Sequence, residues 1–386
     1  MQFSTGEFMR DITITANDAG RRLDRFLRKY LRNASLGEIY KLIRKDIKVD
    51  GRRRDQSYIL QEGETLSLYI SDDVLEKLTG SSASSGASGR SGRSGSKARK
   101  QFRIIYEDRN ILIADKPYGL LTHGDRNEKK NHLANQVKDY LMSRGEFDPL
   151  SEKVFSPAPA NRLDRNTTGL VLFGKTAAAL KGLNMMIRED LTDKFYLTIV
   201  HGIIDEEIAL SGGLVKDEKH NKVTITQISA SSPSEEQREA FFDQDRSGRS
   251  EGDPLPVLTE VRPVEVIDFG NDMKATLVEI RLVTGRSHQI RAHMAGIGHP
   301  VIGDSKYAGA SAEGKFRSRA AGPQEIRRLN EYLAHTYGLT TQLLHAYRIS
   351  FAQSGLPEDL SYLSGRSFTA PLPPAFRKIL GRDRFE

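Results

Sequence analysis

The segment Asn161-Arg162-Leu163-Asp164-Arg165-Asn166-Thr167-Thr168-Gly169 is polar and turn-forming and runs straight into the apolar stretch Leu170-Val171-Leu172-Phe173. A carboxylate in a loop at the mouth of a strand is well placed for chemistry, and guanidinium groups beside it favour its ionised form while attracting phosphate. An isolated loop aspartate is more often a turn-former, so Asp164 needs partners before it counts as a nucleophile. Arg291 is the candidate partner. Ser287 is placed to cap a helix that begins after a turn at Gly285, which sets residues 288 and 291 on neighbouring positions of one face, with Arg291 able to reach the loop. Pairing would hold the carboxylate in one rotamer, as nucleophilic attack requires. The same pair also occurs as an ordinary structural ion pair.

Other chemistries are excluded or poorly supported. The chain has no cysteine, which removes disulfides, thiolate metal sites and cysteine nucleophiles together. His288, His293 and His299 do not align on a helix with metal-ligand spacing, so no metal site is expected. Gly169 to Thr176 formally fits the phosphate-loop pattern, but its intervening residues are apolar and strand-like, whereas a phosphate loop exposes backbone amides; no nucleotide cofactor is expected.

The elements that must position these residues can be read outward from them. At 386 residues the chain is long enough for two folded units and a linker. No run of about 18 apolar residues is present, and the N-terminus lacks a signal-like apolar stretch, so a cytoplasmic protein with no membrane partner is expected. The formal charge of +7 is concentrated: Asp18 to Asp55 holds thirteen Lys/Arg against six Asp/Glu, leaving the remainder neutral. Such a cluster suits a polyanion, with a solvated charged face as the plainer alternative. Within it, Leu23, Phe26, Leu27, Tyr30 and Leu31 form one helical stripe, and Ser35 with Glu38 is a capping box opening a second helix with Ile39, Leu42 and Ile43. Ile47 and Val49, a turn at Asp50-Gly51, Tyr58 and Leu60, a turn at Glu62-Gly63, and an alternating Leu66 to Ile70 complete a small α+β module. A Gly/Ser tract from Gly80 to Ser96 can build no core and reads as a flexible linker. Alternating apolar residues from Phe102 open a second, mixed unit, with a polar surface insertion at about 229–253.

Residues 10–72, with RRLDRFL, SLGEIYKLIRKDIKVDGRR and ILQEGETLSL, resemble the S4 RNA-binding domain. That resemblance implies that Arg21, Arg22, Arg25, Lys41, Arg44, Lys45, Arg52 and Arg53 meet RNA phosphates. NRLDRNTTGLVLFGK resembles the H-R-L-D-x-x-T-S-G signature of the RluA family of pseudouridine synthases, with Asn161 and Thr168 departing from the usual His and Ser. KFYLTIVHG from Lys194, TGRSHQIRAH from Thr284 and GHPVIGD from Gly298 resemble further motifs of that family in the same order. The resemblance implies that Asp164 is the nucleophile, Tyr196 lies against the target base and Arg291 orients Asp164. It also implies that Arg162, Arg165, Arg286 and His288 contact RNA. The expected architecture is α+β: an S4-like module at 10–72, a linker at 73–101, and a mixed, mainly antiparallel-sheet catalytic domain at 102–386. The expected activity is isomerisation of uridine in structured RNA, with large-subunit ribosomal RNA as the expected substrate, by a monomer that needs no cofactor. A non-catalytic RNA-binding or ribosome-assembly factor with the same fold is the alternative.

Overall fold

The computed structural model describes residues 9–80, 100–217, 222–236, 238, 241, 252–309 and 320–385. By contacts these fall into two units. One comprises the described residues of Met1–Lys100 with Gln136–Ala158 and Gly174–Lys181; the other comprises Gln101–Asn135, Pro159–Phe173 and the described residues of Gly182–Glu386.

In the first unit, strand β1 (Arg10–Thr13) precedes helices α1 (Leu23–Tyr30) and α2 (Leu36–Lys45), then strands β2 (Ile47–Val49) and β3 (Thr65–Leu68) in the order β1-β3-β2. The expected stripe is buried: Leu23, Phe26, Leu27 and Leu31 pack with Ile39 and Ile43 over Val49, Leu60, Leu66 and Leu68. Ser35 and Glu38 make the expected reciprocal capping box. Asp50 and Gly51 both have positive φ, the geometry of a tight hairpin turn.

Two boundaries differ from the sequence reading. Residues assigned to the linker begin instead with helix α3 (Asp72–Thr79), which has two acidic residues in its first turn, an αL Gly80 behind it and Leu75 buried in the module's core. The rest of the proposed linker, 81–99, lies outside the described residues. Segment 136–158, expected within the catalytic domain, groups with the module because the buried Asp18 carboxylate accepts from the backbone N–H groups of Lys153 and Phe155 at 3.1 and 2.9 Å. Asn17 reinforces this by donating to Glu152 and accepting from the N–H of Ala177.

The remaining strands are β4 (Arg103–Glu107), β5 (Ile111–Lys116), β6 (Ala158–Pro159), β7 (Thr168–Gly174), β8 (Thr192–His201), β9 (Ile208–Asp217), β10 (Lys222–Ser231), β11 (Leu255–Asp268), β12 (Lys274–Leu282), β13 (Leu344–Phe351) and β14 (Ser367–Thr369). They form one sheet ordered β10-β9-β11-β12-β8-β13-β7-β5-β4, with β14 on β13 and β6 on β7. The expected mainly antiparallel sheet is present, with β13 and β7 parallel. Helices α4 (Leu133–Ser143) and α5 (Ala177–Arg188) have residues in both units, whereas α6 (Gln289–Gly296), α7 (Pro323–Tyr337) and α8 (Pro374–Leu380) belong with the sheet. Alternating apolar residues of β8 and β12 bury against α7 and α8 through Leu197, Ile199, Leu277, Leu329, Leu333 and Phe376.

The insertion proposed at 229–253 begins inside a strand, because β10 runs on to Ser231. Phe241 is buried with Ala209, Leu258 and Val283, and Arg238 pairs with Glu260. Residues 237, 239–240 and 242–251 lie outside the described residues. No described helix is long and apolar enough to cross a membrane.

Candidate active site

Strand β7 starts against β13 with Thr168 opposite His345 and Gly169 opposite Ala346. Gly169 has φ +111°, and a Cβ there would lie 2.1 Å from the Ala346 carbonyl oxygen, so only glycine lets the two strands meet. This crossing fixes where the preceding loop, 160–167, is delivered.

The loop is then held residue by residue. Leu163 both donates to the Thr122 hydroxyl, at 3.1 Å, and accepts from it, at 2.9 Å. The carbonyl of Arg165 accepts from the Lys116 ammonium at 3.0 Å, and Thr167 N–H donates to the Asp164 carbonyl. Asp164 is therefore clamped at its neighbours on both sides while its own side chain stays free of the clamp. The two departures from the family signature are absorbed structurally. Asn161 accepts from Leu172 N–H and donates to the Leu170 carbonyl, pinning loop to strand, and the Thr168 hydroxyl bonds His345 Nδ1 at 2.8 Å.

Asp164, Arg162, Arg165, Tyr196, Arg286, His288 and Arg291 all line one cavity of about 750 Å³. Asp164 Oδ2 lies 3.5 Å from Arg291 Nη1 and 3.7 Å from His288 Nε2. The firmer partner of Arg291 is Asp304, buried, which takes Nε at 2.6 Å and Nη2 at 2.8 Å. The guanidinium is thus fixed by Asp304 and shows its remaining edge to Asp164, a division of labour absent from the sequence reading. Tyr196 stands mid-sheet on β8, between Ile280 of β12 and Ala346 of β13, and its hydroxyl has no hydrogen-bond partner among the described residues. Burial, with the Asp164 charge adding, pushes its phenol far up, so at neutral pH it presents a neutral O–H and an apolar ring rather than a phenolate base.

Helix α6 begins differently from the expectation. Ser287 makes no capping bond. His288 occupies the N-cap position in the left-handed region with φ 55°, and Gln289 organises the turn, its Oε1 accepting from the Thr284 hydroxyl and Arg286 N–H. Arg291 is nevertheless aimed as expected, because it lies one helical turn further in. Arg162 is exposed at the rim and has no hydrogen-bond or ion-pair partner among the described residues, whereas Arg165 pairs with Asp125 at 3.3 Å.

Lys116 was missed by the sequence reading. It ends β5 fully buried, donating to the carbonyls of Leu120 at 2.7 Å, Pro117 at 3.2 Å and Arg165 at 3.0 Å. Burial pulls its ammonium down to about 7, opposed by the charges of Asp164 and Asp115. The charged pair Asp115-Lys116 closing the apolar run Ile111-Leu112-Ile113-Ala114 was the available signal.

Of the basic residues proposed for the N-terminal module, Arg25, Lys41, Arg44, Lys45, Arg52 and Arg53 are exposed. Arg21 and Arg22 are half-buried, and Arg22 is engaged by Asp24 at 2.7 Å.

Residues 110–296 match the RNA pseudouridylate synthase family. The ribosomal large subunit pseudouridine synthase C of Vibrio cholerae is 27% identical over 351 residues, covering 90% of each chain. Its namesake in Escherichia coli is 28% identical over 379 residues, covering 97% of this chain and 96% of the relative. Among solved structures, human RNA pseudouridylate synthase domain containing 4 aligns with a TM-score of 0.45 and 19% identity, over 72% of this chain and 91% of that one.

Proposed function

We propose that the chain is an RNA pseudouridine synthase of the RluA family and that it isomerises uridine in large-subunit ribosomal RNA with Asp164 as the nucleophile. The reaction breaks the N1–C1′ bond, turns the uracil while it stays bound, and joins C5 to C1′. C5 gives up a proton and N1 gains one, so there is no net redox change and the carboxylate is regenerated. Attack on C1′ and assistance of uracil departure through a glycal both require a carboxylate held still beside the sugar.

The observation that carries this reading is the convergence of Asp164, Arg291 and Tyr196 on one cavity. Arg291, immobilised by Asp304, orients Asp164, and the Tyr196 ring supplies an apolar wall for the base. Extracting a stacked uridine costs about a few kcal/mol, and Arg162, exposed at the rim and unengaged among the described residues, is the group to fill the gap left behind. The exposed Lys and Arg residues of the S4-like module add phosphate affinity that carries no sequence information.

Pseudouridine mapping in ribosomal RNA from cells with and without the gene tests this. The expected result is loss of one or more large-subunit pseudouridines, restored by the parent gene. Unchanged maps in both cells would remove ribosomal RNA as the substrate.

A further inference from the structure

The position of His288 carries information that a general RNA-contact role does not use. Its Nδ1 lies 3.0 Å from the Tyr307 hydroxyl, while its Nε2 points toward Asp164 Oδ2 at 3.7 Å. The Tyr307 oxygen already accepts the N–H of Val223 at 3.0 Å. Its single hydrogen is therefore available to donate, and His288 Nδ1 is the acceptor beside it. The opposite arrangement, with hydrogen on Nδ1, would turn a bare Nε2 lone pair toward a carboxylate, which is repulsive. The network thus places the ring hydrogen on Nε2.

Backbone geometry supports a dedicated role. A residue with a side chain at φ 55° persists only where its surroundings over-determine it. Here Gln289 does so, donating to the Leu258 carbonyl and the Thr259 hydroxyl while accepting from Thr284 and Arg286. The left-handed residue lets the ring face the cavity instead of lying along the helix flank. Asp164, Arg291, Lys306 and Asp304 are the charges around it, and burial outweighs them to hold the imidazole below its ordinary value, hence neutral at physiological pH.

We propose that His288 is a positioning residue for Asp164: Tyr307 holds its ring as the Nε2–H form, so that His288 and Arg291 together engage Oδ2 and leave Oδ1 as the oxygen that reacts. Oδ1 accepts no hydrogen bond from the described residues, in keeping with this division. With Oδ2 met at 3.5 and 3.7 Å by Arg291 and His288, rotation of Oδ1 away from the sugar is disfavoured. The proposal rests on the reading of Asp164 as nucleophile and adds which atom acts and what aims it.

The test uses the full chain in two measurements. Ring nitrogen shifts of 15N-histidine-labelled protein, with the His288 signal identified by its absence from H288Q, should show Nε2–H in the parent and lose that preference in Tyr307→Phe. Single-turnover isomerisation at saturating RNA, where any change in affinity is not read, should slow about tenfold to a hundredfold in His288→Ala, the effect expected from a misplaced reacting group. His288→Gln, whose amide nitrogen can stand where Nε2 stood, should recover most of the rate. That recovery separates positioning from a merely structural role, and it can be read even if the alanine variant fails to fold. Hydrogen on Nδ1 in the parent, an alanine variant as fast as the parent, or a glutamine variant that folds but recovers none of the rate would overturn the proposal. Activity retained by Asp164→Asn would instead overturn the assignment of Asp164, while the tautomer result would still stand by itself.

Discussion

Arg291 bridges two carboxylates in unequal surroundings. Asp304 is buried and bonds Nε and Nη2, whereas the Asp164 side chain is 28% exposed and stands 3.5 Å from Nη1. Breaking a buried ion pair leaves an uncompensated charge, so Asp304→Asn should cost about 3–5 kcal/mol of stability. Asp164→Asn should change stability by less than about 1 kcal/mol, since its contact is long and partly solvated. Denaturant melts of the two variants check this contrast, and equal destabilisation would mean that Asp164 is a structural partner. At this scale the sequence was informative wherever motif order spoke: Asp164, Tyr196, Arg291 and the arginines beside them do line one cavity. It gave only a weak mark for Lys116 and none for the role of Asp304, because what those residues do depends on carbonyls and guanidinium edges brought together from distant parts of the chain.

Elements deliver these residues through a few backbone positions. Gly169 is the sharpest case, since the crossing of β7 and β13 leaves no room for a Cβ and its φ of +111° is hostile to any other residue. Gly169→Ala should therefore cost more than about 3 kcal/mol, through strain and separation of the strands that seat the Asp164 loop. A thermal melt with far-ultraviolet dichroism would read it, and a melting temperature within a degree of the parent would refute the account of the crossing. Periodicity exposed the helices α1 and α2 and the capping box because local packing and local hydrogen bonds decide them. The start of α6 was misread, because Ser287 satisfied the local rule while Gln289, reaching the strand residues Leu258 and Thr259, won the competition. Helix α3 was hidden by the Gly/Ser tract that follows it, although its capping residues were present in the sequence.

For the whole molecule, charge and chemistry are divided between the two contact units. The net charge of +7 resides in Asp18 to Asp55, and the residues lining the Asp164 cavity belong to the unit built around the long sheet. Composition located the first and motif order the second. The boundary between them was misplaced because it is set by Asp18 and Asn17 gathering segments more than a hundred residues away, which no linker composition announces. A fragment beginning near Lys97 would consequently strip segment 136–158 of these partners, and the full chain is the proper object for any activity measurement. The central claim is that this chain turns over uridine through Asp164, and tritium release from RNA labelled at uridine C5 measures that step directly. The parent should release tritium in step with pseudouridine formed, while Asp164→Asn, folded and binding RNA as the parent does, should be slower by more than about a thousandfold. Release by Asp164→Asn within about tenfold of the parent, a barrier change under about 1.4 kcal/mol, would contradict it.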